Sequence, residues 1–259
     1  MLLKKQAQFI RNAKRKSVML RLWFIVIVSL PSIFSFVFIS WVIRVFRKIL
    51  SEKFCYKIAK RTLLKIMKRG RISTEVIGKE NLPAEGGYVM YSNHQGKYDA
   101  VGIIYGHESP CTILMDKKRS KLPIMKEFLT IIRGKGLDSS NIKKQIATIN
   151  KVADEVKAGR KYIVFPEGGY NHNHNNISDF KPGAFKIATK SKSPIVPVVV
   201  IDSYKPFEIN SLAPVKTKVV FLEPFYYEDY KGMTSIQIAR IVHDRVVEGM
   251  KKYSGTSQN

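Results

Sequence analysis

Cysteine is scarce in this chain of 259 residues, which holds two, Cys55 and Cys111. Two thiols build no disulfide framework, and without a C-x-x-C pair nothing signals structural zinc. Acidic residues are few as well. There are 20 against 45 Lys and Arg, a net charge of +25. Such an excess points to a polyanionic partner: nucleic acid, anionic lipid or a phosphorylated substrate. No zinc-finger or RNP-like aromatic motif is found, which weakens the nucleic-acid reading. Internal repeats and low-complexity segments are missing. A hydrophobic fraction of 45% excludes a wholly disordered chain.

What is present is unevenly placed. Residues 1–71 hold 18 Lys and Arg and a single acid, Glu52; the rest of the chain holds 27 and 19. Inside the basic quarter lies an uncharged run of 22 residues, Leu22–Ile43, between Arg21 and Arg44. As a helix it would be about 33 Å long, enough to cross a hydrocarbon core of ~30 Å. It is too long for a signal peptide, and no small-x-small cleavage site follows it. Trp23 and Trp41 near its ends suit a membrane-interface belt. Seven basic residues precede the run (Lys4, Lys5, Arg11, Lys14, Arg15, Lys16, Arg21) and eleven follow before Ile72. Both flanks therefore claim the cytoplasmic side. Pro31 and four serines allow a kink, and a re-entrant hairpin with both ends cytoplasmic fits at least as well as a span. In Val45–Arg69, Phe46, Leu50, Phe54 and Ile58 recur every fourth residue among many Lys and Arg. That spacing predicts a basic amphipathic helix on an anionic membrane surface, with a core-facing helix as the alternative.

From Gly70 onward the composition is that of a globular domain. Short apolar runs predict strands at Ile72–Ile77, Tyr88–Ser92, Thr112–Met115, Tyr162–Phe165, Ile195–Ile201 and Thr217–Phe221. Helical patterns fall at Asp99–Tyr105, Pro123–Ile131, Asn141–Lys157, Gly183–Lys190 and Ser235–Lys252. The alternation predicts an α/β fold, a mixed central sheet flanked by helices and preceded by a membrane-associated helical hairpin. Two regions are expected: basic membrane-binding helices over residues 1–69 and a catalytic domain over 70–259.

Three motifs carry chemistry. Asn93-His94-Gln95-Gly96-Lys97-Tyr98-Asp99 directly follows a predicted strand. A histidine serves as a general base near neutral pH when a carboxylate fixes its tautomer. A strand end, a turn at Gly96 and Asp99 in a first helical turn can bring the two side chains together. Phe165-Pro166-Glu167-Gly168-Gly169 also follows a strand; Glu167 there can orient a substrate hydroxyl or brace the loop. The third, Ile195–Val200, reads as a buried strand whose start is set by Pro197. His172 and His174, in a run of asparagines, read as a polar loop rather than a metal site.

In this order the motifs resemble the glycerolipid acyltransferase family, and within it the bacterial 1-acyl-sn-glycerol-3-phosphate acyltransferases. The resemblance covers about residues 70–225, through N-H-x4-D at Asn93–Asp99, F-P-E-G at Phe165–Gly168 and the hydrophobic V-P block at Val196–Val200. It implies acyl transfer from a thioester of acyl carrier protein or coenzyme A to a lysophospholipid hydroxyl, favoured as lysophosphatidate. His94 would be the base and Asp99 its orienting partner. No enzyme nucleophile is needed, which agrees with the lack of G-x-S-x-G. Glu167 and Gly168 match the block that shapes acceptor binding. No cofactor or metal is implied, and no nucleic acid. The implied place is the cytoplasmic face of the cell membrane.

Two departures bear on the acceptor. The family's F-P-E-G-T-R arginine is replaced here by Tyr170, after Gly169. The I-D-R block reads Leu137-Asp138-Ser139, so its arginine is missing too. Arg133 and Lys135, just upstream, are the expected substitutes for binding phosphate, with Tyr170 and His172 at the head group. A glycerol 3-phosphate acceptor, another lysolipid, a lipid hydrolase using the same pair on water, and a non-catalytic basic membrane protein remain open.

Overall fold

The computed structural model describes residues 19–46, 49–170 and 172–255. The basic run from Lys4 to Lys16, residues 47–48 and the last four residues lie outside them. Helix α1, Met19–Val45, is unbroken through Pro31. Its Ser35 hydroxyl donates to the Pro31 carbonyl at 2.9 Å. The expected re-entrant hairpin within the apolar run is therefore absent among the described residues. The hairpin forms instead between α1 and α2, Glu52–Arg69, which starts where the Ser51 side chain accepts from the Phe54 amide at 3.2 Å.

The stripe expected to face lipid on α2 is not its buried face. Cys55, Tyr56, Ala59, Leu63 and Met67 are buried, whereas Phe54 is half exposed. Those spacings of three and four lay the helix on the domain core. Lys53, Lys57, Arg61, Lys65 and Lys68 remain on the outside. The core thus crosses from residue 69 to residue 70: α2 packs with Tyr88, Ile103, Ile131 and Val219 in one cluster.

The domain then alternates strand and helix. Its elements are β1 Ile72–Ile77, β2 Val89–Ser92, α3 Asp99–Gly106, β3 Cys111–Asp116, α4 Met125–Ile132, β4 Lys135–Leu137, α5 Ile142–Lys157 and β5 Lys161–Val164. There follow α6 Lys186–Ser191, β6 Ile195–Ile201, α7 Lys205–Glu208, β7 Val215–Phe221, α8 Tyr227–Tyr230 and α9 Ser235–Ser254. The six expected strands are present. The edge strand β4 was not expected; its sequence, Lys-Gly-Leu, carries no strand pattern.

The strands form one sheet in the order β1-β7-β6-β2-β5-β3-β4. β6 and β7 pair antiparallel and every other pair is parallel, so the sheet is mixed. Helices cover both faces. Ile149, Val152 and Val156 of α5 pack with Val242 and Val246 of α9 on one side. Phe36 of α1, Ile103 of α3 and Phe128 of α4 pack on the other. β6 is buried at all seven positions. Its residues alternate between the faces, with Ile195, Val199 and Ile201 on one and Val196, Val198 and Val200 on the other. Pro197 does not start this strand, which begins at Ile195. It sits just before the β7 ladder, whose pairs begin at Val198, so the missing N–H falls where that ladder has a gap.

Candidate active site

β2, β5 and β6 are adjacent and parallel, so their C-terminal ends open on one edge of the sheet. His94 follows β2, Phe165 follows β5 and Asp202 follows β6. Loops carried on the ends of parallel strands are where such sheets place their chemistry.

The His94 loop is fixed from several sides. Asn93 exchanges two hydrogen bonds with the Val200 backbone of β6: its amide donates to the carbonyl at 3.0 Å and its oxygen accepts from the N–H at 2.9 Å. His94 Nδ1–H donates to Asp99 Oδ2 at 2.6 Å. The same oxygen accepts the Gln95 amide at 2.6 Å and the Gly96 amide at 2.9 Å. Asp99 is fully buried at the start of α3, where a carboxylate is favoured. The expected juxtaposition of His94 and Asp99 across the turn is observed. Fixing Nδ1 as a donor leaves Nε2 as the basic nitrogen, and it has no protein partner among the described residues. The imidazole stacks on Phe165 with ring centroids 4.5 Å apart, and Tyr170 tilts against it at 5.6 Å.

Glu167 braces two loops. Oε1 accepts the His94 amide at 2.7 Å and Oε2 accepts the Ser178 amide at 3.1 Å. Both oxygens of a nearly buried carboxylate are thus spent on backbone. Gly168 has φ 76°, a region that favours glycine. The loop is closed at its base by the Lys181 amide donating to the Pro166 carbonyl at 2.9 Å. Tyr170 has its hydroxyl buried, and burial together with the nearby Glu208 carboxylate raises its pKa. The structure therefore gathers His94, Asp99, Glu167, Gly168 and Tyr170 at one place.

Arg133 and Lys135 are not there. Lys135 begins β4 and Arg133 stands two residues before it; β4 lies three strands from β2, roughly 14 Å at the usual strand spacing. Arg133 ends α4 in a left-handed conformation and donates to the Leu50 carbonyl at 2.9 Å, tying α4 to the turn before α2. Lys135 pairs with Glu155 at 2.9 Å. Both charges serve the contact between helices and edge strand. Arg133 lines a cavity of about 230 Å³ with Lys126, Gly134 and Gly136, distant from His94 by the same argument.

Motif reading missed the residues that hold the site together over long separations. Gln95 is buried; its amide donates to Asn175 Oδ1 at 2.7 Å and its oxygen accepts the Ser203 amide at 2.8 Å. Asn175 in turn donates to Asp202 at 3.1 Å. His172 and His174 both face Glu208, at 3.5 and 3.6 Å, and His174 stacks on Tyr204 at 4.0 Å. No cluster of three or more metal-ligating side chains occurs among the described residues.

The Acyltransferase family model matches residues 73–201, from the first strand to the end of β6. The 1-acyl-sn-glycerol-3-phosphate acyltransferase of Saccharomyces cerevisiae is 34% identical over 190 residues, covering 70% of this chain and 61% of its own length. The human 1-acyl-sn-glycerol-3-phosphate acyltransferase alpha is 32% identical over 162 residues, covering 58% and 53%. The chain thus spans less than two thirds of either relative. The crystal structure of the 1-acyl-sn-glycerophosphate (LPA) acyltransferase PlsC from Thermotoga maritima has the same fold, with a TM-score of 0.75 at 20% identity, covering 95% of this chain and 99% of that one. Residues 73–201 are thus an acyltransferase-family domain.

Proposed function

We propose that the chain transfers a fatty acyl group from an acyl thioester to the free hydroxyl of lysophosphatidate, giving phosphatidic acid for phospholipid synthesis. The observation that carries this reading is the His94–Asp99 pair, with Nδ1 held at 2.6 Å. Nε2 is then free to take a proton from a bound hydroxyl. The alkoxide oxygen bonds to the thioester carbonyl carbon, and the tetrahedral intermediate collapses with loss of the C–S bond. His94 returns its proton to the departing sulfur, so the base is regenerated. Asp99 stabilises the imidazolium formed in between. The donor is an acyl thioester of acyl carrier protein or of coenzyme A.

The reading also places the protein on the cytoplasmic face of a membrane. Helix α1 is long and apolar enough to cross one by length and composition. Its outer face, Trp23, Ile27, Phe34, Phe38 and Trp41, is exposed. Its inner face is held by the domain at both ends: Arg21 donates to the carbonyls of Ala213 and Gly70 at 2.7 and 3.1 Å, and Arg44 pairs with Glu127 at 2.7 Å. A helix fastened along a globular domain enters lipid edge-on, with the domain resting on one leaflet. The basic outer face of α2 suits an anionic surface.

The test is an assay of purified protein with labelled acyl thioesters of both donors and a panel of acceptors. The panel holds lysophosphatidate, other lysolipids, glycerol 3-phosphate and water alone. Labelled phosphatidic acid is the expected product. Release of free fatty acid without an acceptor would replace the proposal by a hydrolase, and no turnover would leave a binding protein.

A further inference from the structure

We propose that Lys181 supplies the positive charge opposite the phosphate of the acceptor, in place of the arginine that this chain lacks after its F-P-E-G block. The inference rests on the acyltransferase reading and narrows its acceptor to a phosphate monoester bound beside Gly168. Such a group carries a charge between −1 and −2 near neutral pH, so a site for it needs a cation.

The cations expected for this role are unsuitable. Arg133 and Lys135 lie at β4, bonded to Leu50 and Glu155. Around the site, Lys205 is paired with Asp202 at 2.8 Å and Lys117 with Asp138 at 3.0 Å. His172 and His174 face Glu208. Lys181 differs from all of these. It is exposed and makes no ion pair among the described residues.

Its side chain lies beside Gly168. A Cβ built on Gly168 would lie 2.3 Å from Lys181 Nζ and 2.8 Å from its Cε. The ammonium therefore lies against the Gly168 turn, in space that a side chain at that position would contest. The Lys181 amide bonds to the Pro166 carbonyl, so the base of the side chain is tied to the same turn. That turn also seats the imidazole: Phe165 stacks under the His94 ring and Glu167 accepts the His94 amide. One short segment, Phe165–Gly168, thus carries the general base on one side and an uncommitted ammonium on the other. In lysophosphatidate the attacked hydroxyl and the phosphate ester sit on neighbouring carbons, so the base and the cation are needed at the same turn.

The experiment compares wild type, Lys181→Met, Lys181→Arg and Lys190→Met, each as the full chain in mixed micelles. Acceptors are lysophosphatidate and glycerol 3-phosphate, the second telling a free phosphate monoester from a lipid head group. Lys190 is the control, an exposed lysine on α6 outside the loops of the site. For whichever acceptor the wild type uses, Lys181→Met raises KM about 10- to 100-fold and leaves kcat within a few-fold. Lys181→Arg restores most of the affinity, and Lys190→Met changes KM little. The wild-type KM rises with salt, and Lys181→Met flattens that dependence. An unchanged KM in Lys181→Met, or a loss confined to kcat, overturns the assignment of Lys181 and leaves the acyltransferase reading standing. A wild type that acylates neither acceptor overturns the reading itself.

Discussion

Asp99 concentrates three donors on one buried oxygen, and the order of those donors decides what it does. Two are backbone amides, of Gln95 and Gly96, which hold the carboxylate in place whether or not His94 is present. His94→Ala should therefore fold normally and lose roughly 10²- to 10⁴-fold in kcat, the usual contribution of a positioned general base. Asp99→Asn should be severely impaired too, because the imidazolium loses its counter-charge. Wild-type turnover by the His94→Ala protein would sink the mechanism. A second histidine makes the contrast. His107 is fully buried, with Nε2 2.6 Å from the Tyr88 hydroxyl and Nδ1 2.6 Å from the Ser109 carbonyl. Burial pushes its pKa down to about 4. The unfolded chain, near 6.5, then takes up the proton first as pH falls. The contribution of neutral His107 is complete above pH 6.5 and is lost as pH falls toward 4, about 3 kcal/mol in all. Thermal melts should show the midpoint dropping across that window, and His107→Gln should flatten the drop. An unchanged slope in the variant would place the acid sensitivity elsewhere.

At the scale of elements, α2 decides whether the N-terminal quarter is an attachment or part of the body. Tyr56 is buried and its hydroxyl reaches the carbonyls of Ile104 and His107 at 3.2 and 3.1 Å. Arg160, before β5, donates to Glu52 of α2 at 2.7 Å and also pairs with Glu155. Removing residues 1–69 would strip five buried α2 side chains from one face of the sheet and expose Tyr88, Ile103 and Ile131. Burial of each large side chain is worth about 1.5–3 kcal/mol, so the summed loss is comparable to the usual net stability of a domain. The truncated chain should be insoluble or molten, measured by loss of near-ultraviolet circular dichroism. A soluble fragment with a cooperative melt would show that the sheet folds without its N-terminal cover.

For the whole molecule, the two sides of α1 separate folding from attachment. Ile25, Phe36 and Ile43 are buried on the domain side, with small Ser29, Ser32 and Ser40 between them. Phe34 and Phe38 are 71% and 65% exposed, so changing them costs the fold little. If α1 lies in lipid, washing membranes with high salt should leave the protein bound, since apolar burial is not screened as charge attraction is. Detergent should release it. Phe34→Glu with Phe38→Glu should weaken sedimentation with vesicles while leaving the melting midpoint nearly unchanged. Release of the intact protein by salt alone would limit attachment to the basic surface.

The period-2 and continuous apolar runs determined which segments become strands, and the six expected strands are there because burial on both faces demands such runs. The H-x4-D and F-P-E-G motifs were legible for a local reason: each lies within a few residues of a strand end, so the chain itself brings its parts together. The N-terminal helices show the limit of periodicity. α2 carries apolar residues on more than one side, and only contact with Tyr88 and Ile103 selects the stripe from Cys55 to Met67 as the inner one. Arg133 and Lys135 show the same limit for charge. They stand close in sequence to the block expected to bind phosphate, yet β4 takes them to the edge of the sheet, where Leu50 and Glu155 occupy them. Gln95, Asn175 and Ser203 carry no local pattern, because their partners are 27 to 108 residues away. Local spacing settles which backbone conformations are cheap and which side chains share a turn. The placement of a lone cation such as Lys181 over Gly168 depends on how β5, its loop and α6 return against one another, which only the assembled sheet decides.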